Sequence, residues 1–255
     1  MTMVLITALG VGGATVIGAI IGFIFKNISH KFSDIVLSFA AGVMLCAAII
    51  GLILPSYEHG TKYGIPWAIL MTVAGIFTGA IALNLIDKLV PHLHKLAGGE
   101  QESHNTNTKL SKVMLFVTAI AIHNLPEGIA AGVSFGSGNT TEALVIAGGI
   151  ALQNIPEGMV IISPMLSSGV SKRRTFVIAS ITGLIEVIGT FIGYFAVSIS
   201  SAILPFALAF AGGTMLYVIS DEMIPETHAH GEQRGATYAL LVGFCIMLIS
   251  DILLG

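Results

Sequence analysis

Eight long apolar runs divide this 255-residue chain, at approximately 3–25, 34–54, 65–87, 111–134, 142–166, 174–197, 202–225 and 236–254. A helix needs roughly 20 such residues to cross about 30 Å of hydrocarbon, so each run has the length of one transmembrane helix. The runs are continuous and do not alternate, which excludes a β-barrel. Hydrophobic residues make up 55% of the chain and charged residues only 10%, against about 25% charged in a soluble domain. The expected fold is an all-α integral membrane protein, a single domain over 1–255 with eight spans crossing a lipid bilayer. A net charge of -3 and the lack of a basic patch exclude nucleic acid as a partner.

Orientation follows from the basic residues. With both termini outside, the inner connections hold Lys26, Lys31, Lys88, Lys95, Lys109, Lys112, Lys172, Arg173, Arg174 and Arg234, and the outer ones only Lys62. Inner loops of membrane proteins carry this excess. The one long connection, 91–110, is then cytoplasmic. It is rich in polar residues, has no apolar face, and contains His92, His94 and His104. Glycines recur four apart inside the spans, as in Gly18 and Gly22, Gly75 and Gly79, Gly128 and Gly132, and Gly189 and Gly193. Such spacing suits close helix packing and a smooth moving interface alike.

The fourth run contains HNLPEG, His123 to Gly128, and the fifth contains QNIPEG, Gln153 to Gly158. Successive spans run in opposite directions, so the two motifs read as inverted copies about helices 4 and 5, an arrangement that puts a substrate at the repeat interface. At 1.5 Å per residue, His123 lies about 18 Å from Ser111 and Gln153 about 16 Å from Glu142, so both motifs reach the midplane. Glu186 in the sixth span and Met44 in the second reach the same depth. His123 and Glu127 are i,i+4, and Asn124 and Glu127 are i,i+3, so one carboxylate is flanked on both sides. Gln153, Asn154 and Glu157 repeat the pattern. Pro126 and Pro156 are expected to bend or open their helices.

Burying Glu127, Glu157 and Glu186 together costs several kcal/mol per group unless positive charge accompanies them. No Lys or Arg reaches this depth, so protons or cations must supply it. An imidazole and a thioether among carboxylates and amides shift preference from calcium or magnesium towards zinc, iron(II), manganese, cobalt or cadmium. Two adjacent dications bridged by Glu127 and Glu157 are electrostatically feasible, and metal entry would displace protons from an empty site.

HNLPEG followed thirty residues on by QNIPEG resembles the signature of the ZIP (Zrt/Irt-like) family of metal-ion transporters, in its bacterial ZupT-like and GufA-like branch. AAGVML in the second span, GLIEVIG in the sixth and DEMIPETHAH at the end of the seventh also match. The resemblance implies a binuclear centre. Met44, His123, Glu127, Gln153 and Glu157 would surround the primary ion, and Asn124, Glu127, Asn154, Glu157 and Glu186 the second. Many members carry His where this chain has Gln153. The resemblance further implies zinc, iron(II), manganese, cobalt and cadmium as cargo, uptake into the cytoplasm across a bacterial inner membrane, an elevator motion against a scaffold, and a homodimer.

Two further clusters suggest stations for the ion. Asp221, Glu222, Glu226, His228 and His230 end the seventh span at the inner side, with Asp87 at the inner end of the third, and read as an exit. Glu58 and His59 close the second span outside and read as an entrance. Neither a phosphate-binding GxxxxGK[ST] loop nor an HExxH metalloprotease motif occurs, so direct ATP use and that enzyme class drop out. A selective divalent-metal channel with the same site stands beside the carrier, because both need ligands within the membrane.

Overall fold

The computed structural model describes residues 1–25, 29–89, 106–229, 231 and 233–254. Among these there is no strand, and the chain forms eight long helices. They are α1 (Thr2–Ile24), α2 (His30–Tyr63), α3 (Ile65–Leu89), α4 (Thr106–Ser134), α5 (Thr140–Ser167), α6 (Lys172–Ile199), α7 (Leu204–His228) and α8 (Gln233–Leu254). Counted over the described residues, seven of them are long and apolar enough to cross a membrane. Their surface is the reverse of a soluble protein's. Phe77 is 64% exposed and Trp67 58%, while Asn124, Glu127, Gln153, Asn154 and Glu186 are each 0% exposed. That distribution suits a lipid surround, in which apolar side chains face outward and polar groups must be satisfied inside.

Local sequence explains the helix ends. Ser29 caps α2 by accepting from the Phe32 amide, Asn139 caps α5 by accepting from Thr141 and Glu142, and Ser171 caps α6 by accepting from Arg174. Gly138 precedes the Asn139 cap at φ 82°, a conformation that favours glycine, and so lets α4 turn back into α5. Residues 55–63, between the second and third apolar runs, are helical and continue α2, and α4 takes in the last five residues of the 91–110 connection.

Two spans contain a wider, π-helical stretch: Ala47–Ile53 in α2 and Ile219–Met223 in α7. Each lies just before a proline, Pro55 or Pro225. A proline ring collides with the carbonyl four residues back, here that of Gly51 or Asp221, and a widened turn relieves the collision. Both α4 and α5 remain helical across Pro126 and Pro156, and α5 is interrupted later, at Ile161. One missing N–H bond is absorbed without loss of the helix.

The helices sort into two packing groups. In the first, α1 lies against α5 and α6, and α4 lies against α6; in the second, α2 packs on α8 and α3 on α7. The glycine stripes belong to these internal contacts. A Cβ added at Gly18 would collide with the Ile155 carbonyl, one at Gly132 with that of Thr190, one at Gly42 with that of Leu240, and one at Gly79 with that of Phe210. Backbone therefore meets backbone inside each group. Between groups the contacts are of another kind: Gly51 of α2 faces the Ile146 side chain of α5, and Gly149 of α5 faces the Met247 thioether of α8. The glycine spacing is thus assigned to rigid packing within each group. Hydrogen bonds reinforce the second group, with Ser56 donating to the Pro205 carbonyl at 2.6 Å and Asn84 donating to the Tyr217 hydroxyl at 2.7 Å.

Candidate metal centre

Helices α4, α5 and α6 deliver three carboxylates to one buried layer. The close approach of α4 to α6 depends on Gly128, whose missing Cβ leaves room for the backbone carbonyl of Glu186. Glu186 is held by donors from three helices. Its Oε1 accepts from the Thr15 hydroxyl of α1 at 2.7 Å and from Asn124 of α4 at 2.5 Å, and its Oε2 accepts from Asn154 of α5 at 2.5 Å. Asn154 also donates to the Val11 carbonyl at 3.2 Å. A third amide–carboxylate contact joins the two motifs directly, with Gln153 donating to Glu127 Oε1 at 2.8 Å.

These bonds determine where the remaining oxygens point. The amide nitrogens of Asn124, Asn154 and Gln153 face the carboxylates as donors, so their carbonyl oxygens turn away. Asn124 Oδ1, Asn154 Oδ1, Gln153 Oε1 and Glu127 Oε2 are buried and accept no hydrogen bond. Buried polar atoms are nearly always satisfied, and four unsatisfied oxygens beside three buried carboxylates offer contacts suited to an electropositive partner. The donor set fits a divalent cation. His, Cys, Asp and Glu alone do not suffice: among the described residues no three of them are grouped so as to hold a metal. The amide oxygens are needed to complete a coordination shell.

His123 is 9% exposed, Glu157 6% and Met44 1%. Met44 belongs to the apolar cluster that includes Ala130 and Ala131 of α4 and Ile150 of α5. His123 Nε2 lies 2.9 Å from Glu222 Oε1 of α7. Glu222, grouped by its sequence position with the exit residues, thus sits against the central motif. Asp221 and Glu226 are exposed. His228 has Nδ1 2.8 Å from the Ile224 carbonyl and Nε2 3.3 Å from the Thr237 hydroxyl, so both ring nitrogens have protein partners. Glu58 is exposed and His59 half-buried at the other end of α2. His230, the Asp87 side chain, His92, His94 and His104 lie outside the described residues.

Sequence reasoning missed Thr15 and the Val11 carbonyl as parts of this centre. The available signal was a hydroxyl residue in the middle of a glycine-rich apolar run, but threonine there is also compatible with bonding to its own helix. Glu222 was noticed and its partner was not, because the π-helical turn that carries it changes which way the side chain faces.

A helical membrane bundle that gathers carboxylates and unsatisfied oxygens in one internal layer offers cations a site within lipid, and the family match makes the class a membrane transporter, not an enzyme. The chain belongs to the ZIP family: the family model described as ZIP Zinc transporter matches residues 94–251. Among curated proteins it is 40% identical to the zinc transporter GufA of Myxococcus xanthus over 98% of both chains. It is 37% identical to the zinc transporter ZupT of Chlorobaculum parvum, over 95% of this chain and 94% of that one. It is 35% identical to the zinc transporter ZIPB of Bordetella bronchiseptica, over 95% of this chain and 78% of that one.

Proposed function

We propose that this protein is a carrier that moves zinc, and also iron(II), manganese, cobalt and cadmium, into the cytoplasm without ATP. The site is binuclear. Met44, His123, Glu127, Gln153 and Glu157 hold the primary ion, and Asn124, Glu127, Asn154, Glu157 and Glu186 hold the second. The observation that carries this reading is the set of four buried oxygens without hydrogen-bond partners in a layer that also contains three carboxylates. The curated relatives named as zinc transporters support zinc as the first cargo. The positive-inside distribution supports termini outside and residence in the bacterial inner membrane as a multi-pass protein, for which a homodimer is the proposed assembly.

Packing favours a carrier over a channel. Glu127, Glu157, Glu186 and their amide partners all sit on α4, α5 and α6, within one group whose glycine seams set backbone against backbone, while the glycines facing the other group meet side-chain ends. One group can therefore shift against the other carrying every proposed ligand except Met44, which belongs to α2 of the second group. Asp221, Glu222 and Glu226 at the end of α7, with His228, His230 and Asp87, are the proposed exit, and Glu58 and His59 the proposed entrance.

The test is flux into proteoliposomes with zinc, cadmium and iron(II) outside and no nucleotide. The expected result is saturable uptake. Flux equal to that of protein-free vesicles overturns transport, and flux that rises linearly with metal to high concentration replaces the carrier by the channel.

A further inference from the structure

Thr15 lies on α1, far in sequence from either motif, yet its hydroxyl is 2.7 Å from Glu186 Oε1 in a fully buried setting. Two glycines hold the α1 backbone at this level. A Cβ at Gly158 of α5 would collide with the Thr15 carbonyl, and one at Gly183 of α6 would come within 3.3 Å of the Thr15 Cβ. Thr15 is thus wedged between the two helices that contribute Asn154 and Glu186. The backbone carbonyl of Glu186 accepts from the Thr190 hydroxyl, one turn on in α6, at 2.9 Å.

We propose that Thr15 is a positioning residue for the second ion. Its hydroxyl fixes the rotation of the Glu186 carboxylate. That rotation places Oε1 on the Asn124 amide and Oε2 on the Asn154 amide, which in turn aims Asn124 Oδ1 and Asn154 Oδ1 into the centre. Without the hydroxyl, Glu186 has two donors in place of three and can rotate, and the two asparagine oxygens lose their common orientation. Thr15 touches no ion in this scheme. It acts through Glu186, as a hydrogen-bond partner behind a ligand does in metal sites, where loss of such a partner lowers affinity about tenfold to a hundredfold. The inference rests on the binuclear reading above.

The experiment compares Thr15→Val, which keeps shape and removes the hydroxyl, with Thr15→Ser, which keeps the hydroxyl and removes a methyl. Zinc binding to each purified protein is followed by calorimetry, and bound zinc is counted by elemental analysis. In Thr15→Val the second ion should bind about tenfold to a hundredfold more weakly with the first ion unchanged, and Thr15→Ser should restore wild-type binding. Wild-type binding in Thr15→Val overturns the proposal. So does equal loss in both variants, which marks Thr15 as packing. A metal-free measurement separates this proposal from the binuclear reading. The side-chain amide resonances of Asn124 and Asn154 in 15N-asparagine-labelled protein should move in Thr15→Val and stay in place in Thr15→Ser. If the wild type holds a single ion, the binuclear reading falls, and these resonances still decide whether the Thr15 hydroxyl orients the asparagines.

Discussion

His123 Nε2 on α4 and Glu222 Oε1 on α7 lie 2.9 Å apart and join the two packing groups beside the HNLPEG motif. An imidazole whose nitrogen faces a carboxylate cannot offer that nitrogen to a metal at the same moment. Binding of an ion through Nε2 and contact with Glu222 are alternatives, so ion occupancy bears on how firmly α4 is held against α7.

The first prediction follows from that contact. Replacing His123 or Glu222 singly by Ala should each change zinc affinity, and the double variant should depart from the sum of the two by roughly 0.5–3 kcal/mol, the range for residues in one network. The measurement is zinc binding in a double-mutant cycle. Strict additivity would mean that the pair is adjacent without being coupled.

A second prediction concerns the division of ligands. Glu157→Gln removes the negative charge assigned to both ions, and both should be lost or badly weakened. Glu186→Gln should cost only the second ion. It also sets an added amide among the donors of Thr15, Asn124 and Asn154, and one donor left facing another should destabilise the metal-free protein by about 1–3 kcal/mol. Elemental analysis and thermal melts of the purified variants check both parts. Two ions retained by Glu157→Gln would show that the ligands are divided wrongly.

The glycines give a third. Gly18→Ala should destabilise, because its Cβ meets the Ile155 backbone, with overpacking of this kind costing about 1–3 kcal/mol. Gly148→Ala meets nothing within 4 Å. It should be neutral or stabilising, since Ala exceeds Gly in helix propensity by about 1 kcal/mol. Parallel melts of the two variants decide whether the stripes are rigid seams, and equal Tm values would refute the assignment.

Asn84 supplies a fourth. Its bond to the Tyr217 hydroxyl joins α3 to α7 within the second group. Tyr217→Phe should lower stability by only about 0.6 kcal/mol, the average for hydrogen bonds between membrane helices, and leave zinc uptake unchanged. A large loss of uptake with normal membrane expression would tie this contact to transport.

What the sequence determined by itself is whatever depends on neighbours along one helix or on composition. Apolar run length identified the membrane helices, because the cost of placing backbone and side chains in lipid is set residue by residue. HNLPEG and QNIPEG were readable as paired centres because i,i+3 and i,i+4 residues share a helix face whatever the rest of the chain does. The presence of three carboxylates without Lys or Arg at their depth pointed to a cation by charge alone. Only the tertiary structure decided which helices meet. It put Thr15 against Glu186, set the Asn124 and Asn154 amides on the same carboxylate, brought Glu222 to His123, and gave the glycine stripes to rigid seams. Those outcomes depend on the rotation and depth of one helix against another. Both are set by the combined packing of all eight helices, and the widened turn at Ile219–Met223 alters the register of α7 in a way that no fixed helical period encodes.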